Sequence, residues 1–327
     1  MAQTGATEQA VYAEGLSKAF RGRPAVAGLD LEIPPGEVFG LVGPDGAGKT
    51  TTFRLLCGIL LPDAGRAWVG GEDVLGNPEA AKRHIGYLSQ TFAQYSDLTV
   101  WENLEFVAAM YSVPDGEWQA SANELLQASR MIPFKDRLAG NLSGGMKQKL
   151  ALSCTLLHTP RVVFLDEPTT GVDPVSRRDF WGILYDLPRK GVTIVVSTPY
   201  MDEAERCRRV AFMSHGRIIA SGTPQELKQR AGGDILVFDT DQPRAARDTL
   251  LGREGVLESV LFGDLLHVLT VDGLTAEPAL RAALQGAGIG VRSVSPTEPG
   301  LEDIFVHLAA EAAAVHAVPG GQNGGRR

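Results

Sequence analysis

The sequence predicts an α/β fold with a mostly parallel sheet, followed by a small α+β domain. Two observations support this prediction. Between residues 38 and 213, short apolar segments typical of buried strands alternate with helical segments, which is the βαβ order of a parallel sheet. After residue 234 the order becomes βαββαβ, which is typical of a ferredoxin-like domain. With 327 residues, 44% of them hydrophobic, the chain is long enough for one large domain or two.

The first domain is predicted to begin with antiparallel β structure. Two strands, residues 11–16 and 28–33, precede a Pro-Pro-Gly turn and a buried strand at residues 38–42. Apolar residues at helical spacing between about residues 90 and 140 indicate a helical insert. The sheet continues through further predicted strands at residues 65–69, 85–88, 162–165, 193–197 and 210–213.

The first domain is predicted to cover residues 10–232, and the small α+β domain residues 233–310. A helix at residues 301–310 is expected to end the second domain. The polar residues 1–9 are predicted to be flexible, and the glycine-rich residues 311–327 are predicted to form a disordered tail.

Composition excludes several classes of protein. A net charge of −8 and a pI near 5.3 argue against a nucleic-acid partner, because neutralising phosphates needs a basic surface. Cys57, Cys154 and Cys207 are far apart and form no C-x-x-C pair, so we expect reduced thiols rather than disulfides or a zinc site. No apolar run approaches the ~18 residues of a membrane helix, and the N-terminus lacks a secretory pattern. We therefore expect no direct membrane span.

A phosphate-binding loop is predicted directly after the strand at residues 38–42. Its glycines let backbone N–H groups surround a phosphate chain, and the N-terminus of the next helix adds donors. Lys49 is predicted to reach the outer phosphates and Thr50 to hold Mg²⁺. A glycine-rich turn with a chance Lys-Thr pair is the alternative, but the flanking strand and helix favour a nucleotide site. The segment matches G-x-x-x-x-G-K-[ST] through Gly43, Pro44, Asp45, Gly46, Ala47, Gly48, Lys49 and Thr50, with Thr51 next in the helix.

Two carboxylates end the apolar strand at residues 162–165. Asp166 is suited to coordinate Mg²⁺, because a buried strand delivers it to the carboxyl edge of the sheet. Glu167 is the candidate that polarises the attacking water. Taken alone, this stretch would favour a strand that ends in a solvated acidic turn.

A second anion-binding helix end is predicted at Ser143, Gly144 and Gly145, which open the helix that contains Met146. Together with the phosphate loop, this Leu-Ser-Gly-Gly stretch resembles the signature of ABC ATPases. The resemblance implies a P-loop NTPase fold, and a signature that binds the γ-phosphate of ATP held on a second subunit. Met146 stands where glutamine is commonest in the family, a variation that we do not expect to abolish the site.

The resemblance also assigns roles to residues between and around these motifs. Gln90 is similar to the Q-loop glutamine that touches Mg²⁺ and senses the transmembrane partner. Asp173 resembles the D-loop aspartate that crosses the dimer interface. Phe20 is placed like the aromatic residue that stacks on adenine, and this placement favours the adenine role although a lone Phe more often belongs to a core.

Pro199 departs from the family pattern. It stands where the switch histidine is expected after the strand at residues 193–197, and proline has neither a side-chain donor nor a backbone N–H. Losing one preorganised donor typically costs about 2.7–4 kcal/mol of transition-state stabilisation. Because Glu167 is present, we expect slowed rather than absent hydrolysis; Thr198 or Tyr200 are alternative donors.

Within the family, the stretches at residues 44–51, 197–207 and 298–305 resemble ATPases of ABC-2-type exporters. This resemblance implies an ATP hydrolase coupled to transport, which uses ATP and Mg²⁺ and dimerises around the nucleotide. It also implies a separate ABC-2-type permease as partner and a peripheral location on the cytoplasmic face of the inner or plasma membrane. Candidates for the permease contact, or alternatively for the core of the insert, are Phe92, Tyr95, Leu98 and Trp101.

Other interpretations stay open. Pro199 alone suggests a regulatory subunit that binds ATP but turns it over slowly, and the intact Glu167 weighs against that alternative. A soluble ABC protein that acts on ribosomes or DNA fits less well, since the chain carries one ATPase unit and is acidic. A GTPase or kinase is excluded by the signature at residues 143–145 and by the lack of an Asn-Lys-x-Asp motif. The sequence does not decide between a homodimer and a heterodimer.

Overall fold

The computed structural model describes residues 8–230 and 232–317. The chain divides into two compact units, with the boundary between Ile218 and Ile219. The predicted domain boundary at residue 232 stays a prediction. Most of the predicted flexible N-terminus and of the predicted disordered tail lies outside the described residues. Within the described part of the chain, no helix has the length and apolar character needed to cross a bilayer.

The first unit contains a six-stranded sheet, which confirms the predicted mostly parallel arrangement. The strand order is β10-β9-β3-β8-β7-β6, and β3, β6, β7, β8 and β9 pair in parallel. β3 and β7 are buried along their full length. The unit boundary falls within β10. The bounds are β3 Val38–Val42, β6 Ile85–Leu88, β7 Val162–Asp166, β8 Thr193–Thr198, β9 Arg209–Ser214 and β10 Arg217–Gly222.

The predicted antiparallel N-terminal part forms a four-stranded sheet in the order β2-β1-β4-β5. Its strands are longer than the sequence predicted, because β1 and β2 stay paired up to Phe20 and Arg23 on either side of a tight turn. At that turn Arg21 and Gly22 both have positive φ. The bounds are β1 Val11–Phe20, β2 Arg23–Ile33, β4 Ala64–Val69 and β5 Glu72–Asp73.

Seven α-helices accompany these sheets in the described part of the first unit. The predicted helical insert contains two of them, which pack around Leu104, Trp118 and Leu126. Thr99 begins the first insert helix with a capping box to Glu102. The bounds are α1 Lys49–Leu56, α2 Pro78–Arg83, α3 Val100–Met110, α4 Asp115–Ala128, α5 Gly144–Leu156, α6 Pro174–Leu184 and α7 Met201–Ala204.

The second unit confirms the predicted βαββαβ order. Its antiparallel sheet has the order β12-β13-β11-β14, and helices α9 and α10 pack against one face through residues such as Leu250 and Leu284. The final helix, α11, contacts β12 and continues past the predicted end at residue 310. The bounds are α8 Pro224–Gln229, β11 Asp234–Thr240, α9 Pro243–Leu250, β12 Val256–Phe262, β13 Leu265–Thr270, α10 Gly273–Gly286, β14 Val291–Thr297 and α11 Leu301–Ala317.

The three cysteines are buried and unpaired, as the sequence predicted. Burial raises the pKa of Cys154 to about 12, so this thiol stays protonated and behaves as an apolar core group.

Candidate active site

The phosphate loop, residues 43–51, runs from the end of β3 into α1. Gly48 is the N-cap of α1 with φ of 109°, and a Cβ atom there would lie 2.3 Å from the carbonyl oxygen of Ala25. Only glycine therefore fits this close turn. The first turn of α1 leaves backbone N–H groups without intrahelical partners, so the loop presents donors and a positive dipole end to an anion.

Lys49 lies at the centre of the site. Its side chain is only 3% exposed, and Nζ donates to the carbonyl oxygens of Gly43 at 2.8 Å and Pro44 at 3.0 Å. Nζ also lies 3.1 Å from Glu167 Oε1. The ammonium group is thus held inside the loop, beside the carboxylate that the sequence singled out.

Asp166 is fully buried at the carboxyl end of β7 and accepts three hydroxyl groups. Thr50 Oγ1 donates to Oδ1 at 3.0 Å, Ser197 Oγ donates to the same oxygen at 2.7 Å, and the Tyr87 hydroxyl donates to Oδ2 at 3.2 Å. Burial, and then the charge of Asp166, raises the pKa of Tyr87 to about 12, so the phenol remains a proton donor.

Sequence reasoning missed Tyr87 and Ser197. Each lies near the carboxyl end of a strand next to β7, and parallel strands bring these ends to one edge of the sheet. Which strands are neighbours follows from the strand order and not from the sequence. Ser197 is also the register partner of Asp166 in the β7–β8 pair.

Glu167 is held in an unusual backbone conformation. Its φ is 47°, in the left-handed region that non-glycine residues rarely adopt, and such strain costs roughly 1–3 kcal/mol. The backbone N–H donates to the carbonyl oxygen and hydroxyl of Ser197 at 3.1 and 3.0 Å. Gln90 Nε2 and Thr170 Oγ1 donate to Oε2 at 3.1 and 3.4 Å. The surroundings therefore fix both the backbone and the carboxylate.

These contacts define a phosphate-loop cluster of Lys49, Thr50, Gln90, Asp166 and Glu167. Its oxygen donors fit Mg²⁺, which binds proteins through one or two carboxylates and completes its shell with water and substrate phosphates. Among the described residues no group of three His, Cys, Asp or Glu side chains could hold a metal alone. The donor set therefore suits a magnesium ion that arrives with a phosphorylated substrate.

The signature segment, which we define as Ser143, Gly144 and Gly145, forms the N-terminus of α5. Ser143 is the N-cap, and its hydroxyl accepts from the backbone N–H of Met146 at 3.4 Å. Ser143 and Gly144 are exposed on the chain, whereas Gly145 is buried. A Cβ atom on Gly145 would lie 2.5 Å from the Ser176 side chain on α6, so glycine permits close packing of the two helices.

Asp173 is the N-cap of α6 and accepts from the backbone N–H groups of Val175 at 3.1 Å and Ser176 at 2.9 Å. Hydrogen bonds from the Ser176 hydroxyl, and then from its backbone N–H, lower the pKa of Asp173.

Phe20 lies at the β1–β2 turn with 47% of its surface exposed. Among the described residues, no hydrogen bond or ion pair joins Asp173 or Phe20 to the phosphate-loop cluster.

The candidates for a permease contact separate into two groups. Phe92 and Trp101 are partly buried and pack against the core of the helical insert. Tyr95 is 54% exposed and stacks edge-on against Phe106, which is itself exposed. Leu98 is half-buried.

Pro199 is half-buried immediately after β8. The neighbouring Thr198 hydroxyl donates to Glu203 Oε2 at 2.8 Å and accepts from the backbone N–H of Tyr200 at 3.0 Å. Thr198 is therefore engaged within the chain, and its hydroxyl does not project from the fold as a substitute for the expected histidine.

The chain is similar in sequence to ATP-binding proteins of transporters. Residues 26–170 match the family model "ABC transporter", and residues 222–309 match "ATP-binding protein DrrA1-3-like, C-terminal domain". The chain is 36% identical to the daunorubicin/doxorubicin resistance ATP-binding protein DrrA of Streptomyces peucetius over 310 residues, which cover 93% of this chain and 94% of DrrA.

A second relative is longer. The chain is 42% identical over 301 residues to the probable multidrug ABC transporter ATP-binding protein YbhF of Escherichia coli (strain K12), and the match covers 91% of this chain. It spans 52% of the length of YbhF. A solved structure described as the ATP binding subunit of an ABC transporter superimposes with a TM-score of 0.63 at 28% identity, covering 68% of this chain and 93% of that one.

Proposed function

Because the chain belongs to the DrrA-like family of ABC transporter ATP-binding proteins, we propose that it is the ATP-hydrolysing motor subunit of an ABC-type exporter. In this proposal two copies, or one copy and a related subunit, close around two ATP molecules and drive a separate ABC-2-type permease. The observation that supports it most directly is the phosphate-loop cluster, in which a buried lysine, a hydroxyl and two carboxylates meet at the carboxyl edge of the parallel sheet.

Substrate binding follows from the loop. The first-turn N–H groups of α1 and the ammonium of Lys49 bind the phosphate chain. Because Lys49 Nζ lies 3.1 Å from Glu167 Oε1, a phosphate held by Lys49 comes to lie next to Glu167. The exposed ring of Phe20 is available to stack on adenine.

Thr50, Asp166 and Gln90 would hold Mg²⁺, which supplies charge neutralisation at the phosphates. Tyr87 and Ser197 orient Asp166 through hydrogen bonds to its two oxygens. Loss of a residue that orients a metal ligand in this way typically lowers metal affinity or activity about 10–100-fold.

Glu167 is proposed to accept a proton from the attacking water. General-base catalysis by a positioned carboxylate contributes about 10²–10⁴-fold. The strained backbone at φ 47° and the two hydrogen bonds from its N–H to Ser197 hold the carboxylate in one place. Gln90, which donates to Oε2, steadies the same group.

The second subunit is proposed to contribute its signature segment. On this chain the segment combines an exposed Ser143 and Gly144 with a helix N-terminus, which is the arrangement that binds a phosphate. Asp173 is proposed to reach across the same interface. ATP touches both faces only in the closed dimer, so binding favours closure and hydrolysis permits opening.

The exporter assignment rests on the relatives, whose names describe multidrug transport and daunorubicin resistance. By analogy, the subunit would sit on the cytoplasmic face of the inner or plasma membrane, held there by the permease. The exposed Tyr95 of the helical insert is the aromatic candidate for that contact.

The test of the dimer uses Glu167→Gln, which keeps the size of the side chain and removes the proposed base. We expect this variant to bind Mg-ATP, to hydrolyse it at least about 10²-fold more slowly, and to accumulate as a dimer in size-exclusion chromatography with light scattering. Glu124→Gln, on the exposed surface of α4, is the matched control and should behave as wild type. A Glu167→Gln chain that stays monomeric with saturating Mg-ATP, alone and with its permease, contradicts the proposal.

Pro199 favours a second candidate function, a regulatory subunit with low turnover in a heterodimeric exporter. Proline provides no donor at the switch position, and the Thr198 hydroxyl is engaged by Glu203. Steady-state hydrolysis by the purified chain, measured alone and then with its permease, separates the two functions. A motor is stimulated by the permease, whereas a regulatory subunit stays slow in both assays.

A further inference from the structure

A buried carboxylate joins the segment that follows β7 to the last residue of β8. Glu203, in the short helix α7, is fully buried. Thr169 Oγ1 donates to Oε1, and Thr198 Oγ1 donates to Oε2 at 2.8 Å. Both threonines are 1% exposed. The two oxygens of one carboxylate are thus shared between the segment after Glu167 and the segment before Pro199.

The charge of Glu203 is offset from α6. Arg177 Nε lies 3.7 Å from Glu203 Oε1, and Nη1 lies 3.6 Å from Asp202 Oδ2. The guanidinium carbon lies 4.6 Å from the ring centre of Tyr200. Burying a carboxylate is costly unless it is paired and hydrogen-bonded, and here two hydroxyls and one guanidinium meet that need. We call Glu203, Thr169, Thr198 and Arg177 the Glu203 clamp.

The clamp lies next to groups proposed to act on ATP. Thr169 is followed by Thr170, whose hydroxyl lies 3.4 Å from Glu167 Oε2. The carbonyl oxygen of Thr198 accepts from the backbone N–H of Gly43, the first residue of the phosphate loop, at 3.2 Å. Arg177 lies one turn into α6, and its backbone N–H donates to the carbonyl oxygen of Asp173. The clamp therefore connects three segments of the site, and it meets the phosphate loop through the backbone bond between Thr198 and Gly43.

We propose that Glu203 is a positioning residue for ATP hydrolysis, which acts by holding the segment that carries Glu167 against the segment that carries Pro199. This inference rests on the proposed function. Pro199 offers no side-chain donor to align its own segment with the substrate, so the alignment of that segment depends on Thr198 and its bond to Glu203. Loss of the clamp leaves the nucleotide-binding groups in place and misaligns Glu167.

Thr169→Val tests the clamp, because it removes one hydroxyl at nearly constant volume. We expect kcat for ATP to fall about 10- to 100-fold, as small misplacements of reacting groups do, while KM and the affinity for a fluorescent ATP analogue stay within about twofold. Thr169→Ser restores the hydroxyl and should recover most of kcat. Thr155→Val is the matched control, since Thr155 is also buried but its hydroxyl donates only to the carbonyl oxygen of Ala151 in its own helix.

A double-mutant cycle locates the effect at the carboxylate. Glu203→Gln should lower kcat to a similar extent, and the pair Glu203→Gln with Thr169→Val should be no worse than the more severe single variant, because both break the same contact. Thr198→Val removes the second donor and gives an independent measurement where Glu203→Gln proves unstable.

The outcomes are distinguishable. Wild-type chain that never hydrolyses ATP, alone or with its permease, overturns the proposed function and this inference with it. Active wild type with an undiminished kcat in folded Thr169→Val and Thr198→Val overturns the inference alone. A loss of kcat that Thr169→Ser does not recover, or that Thr155→Val reproduces, also overturns it, because the role would then be packing rather than positioning.

Discussion

The phosphate-loop cluster and the signature segment differ in how far their polar groups are buried and bonded within the chain. In the cluster, the Lys49 and Glu167 side chains are 3% and 8% exposed and lie 3.1 Å apart. In the signature segment, Ser143 and Gly144 are exposed, and the serine caps only its own helix. We infer that the chain prearranges the half of the proposed site that does chemistry and exposes the other half to solvent. A composite site shared by two subunits would need this asymmetry.

The largest effect is expected when the positive charge of Lys49 is removed from the buried phosphate-loop cluster. Lys49→Met keeps the length of the side chain but leaves Glu167 without its cation, and breaking a buried pair typically costs about 3–5 kcal/mol. We expect at least about a 10²–10³-fold loss of hydrolysis together with a lower melting temperature. Lys190→Met, at an exposed lysine paired with Glu124, is the matched control and should change neither quantity. Equal effects of the two changes would contradict the distinction.

Next in size is a change on the exposed side. Ser143→Ala removes the cap of α5, which is worth about 0.5–2 kcal/mol of stability, and removes a donor from the proposed trans contact. Hydrolysis should fall about 10-fold or more, whereas the affinity of the monomer for ATP should not change, because the phosphate loop is intact. A measured weakening of monomeric ATP binding would show that the two regions are not separate.

A gain of activity is expected at the switch position. Pro199→His restores the donor that the family pattern contains, and we expect turnover to rise by about 10-fold, less than the full value of a well-placed donor. Pro199→Ala restores the backbone N–H without adding a side-chain donor and should give no comparable rise. Turnover that stays at the wild-type level in Pro199→His would argue against the histidine site as the cause of slow hydrolysis.

The smallest expected effect is on the melting temperature at acid pH. The folded-state pKa of Asp173 is lowered by Ser176, so its capping contribution is present above the pKa of the unfolded chain and is lost as pH falls through the folded pKa. Asp173→Ala should therefore lower the melting temperature at neutral pH, and the difference from wild type should shrink below about pH 4. A difference that persists unchanged in acid would mean that the carboxylate charge is not what stabilises the cap.

The sequence was sufficient to place those residues of the proposed site that follow a fixed local spacing. The phosphate loop, the acids at the end of β7 and the cap at Ser143 depend on neighbours within a few residues, and the structure places each at the expected strand end or helix start. The fold class followed from the alternation of apolar strands and helices, because that alternation determines which faces must be buried.

Contacts between distant residues could not be predicted in the same way. Tyr87 meets Asp166 across 79 residues of sequence, and Thr169 meets Glu203 across 34. Such pairs depend on strand order, which one sequence does not specify. In contrast, the missed helix α8 carried a usable local signal: Thr223 and Glu226 form a capping box around Pro224 at the first helical position.

The close packing of Gly145 on Ser176 has a mechanical consequence. Lys149, one turn further along α5, pairs with Asp179 of α6 at 2.9 Å, so the two helices are fastened at two points. We therefore expect α5 and α6 to move together as one rigid body. A neighbouring molecule that presses on Ser143 at the N-terminus of α5 is then expected to move Asp173 at the N-terminus of α6 as well.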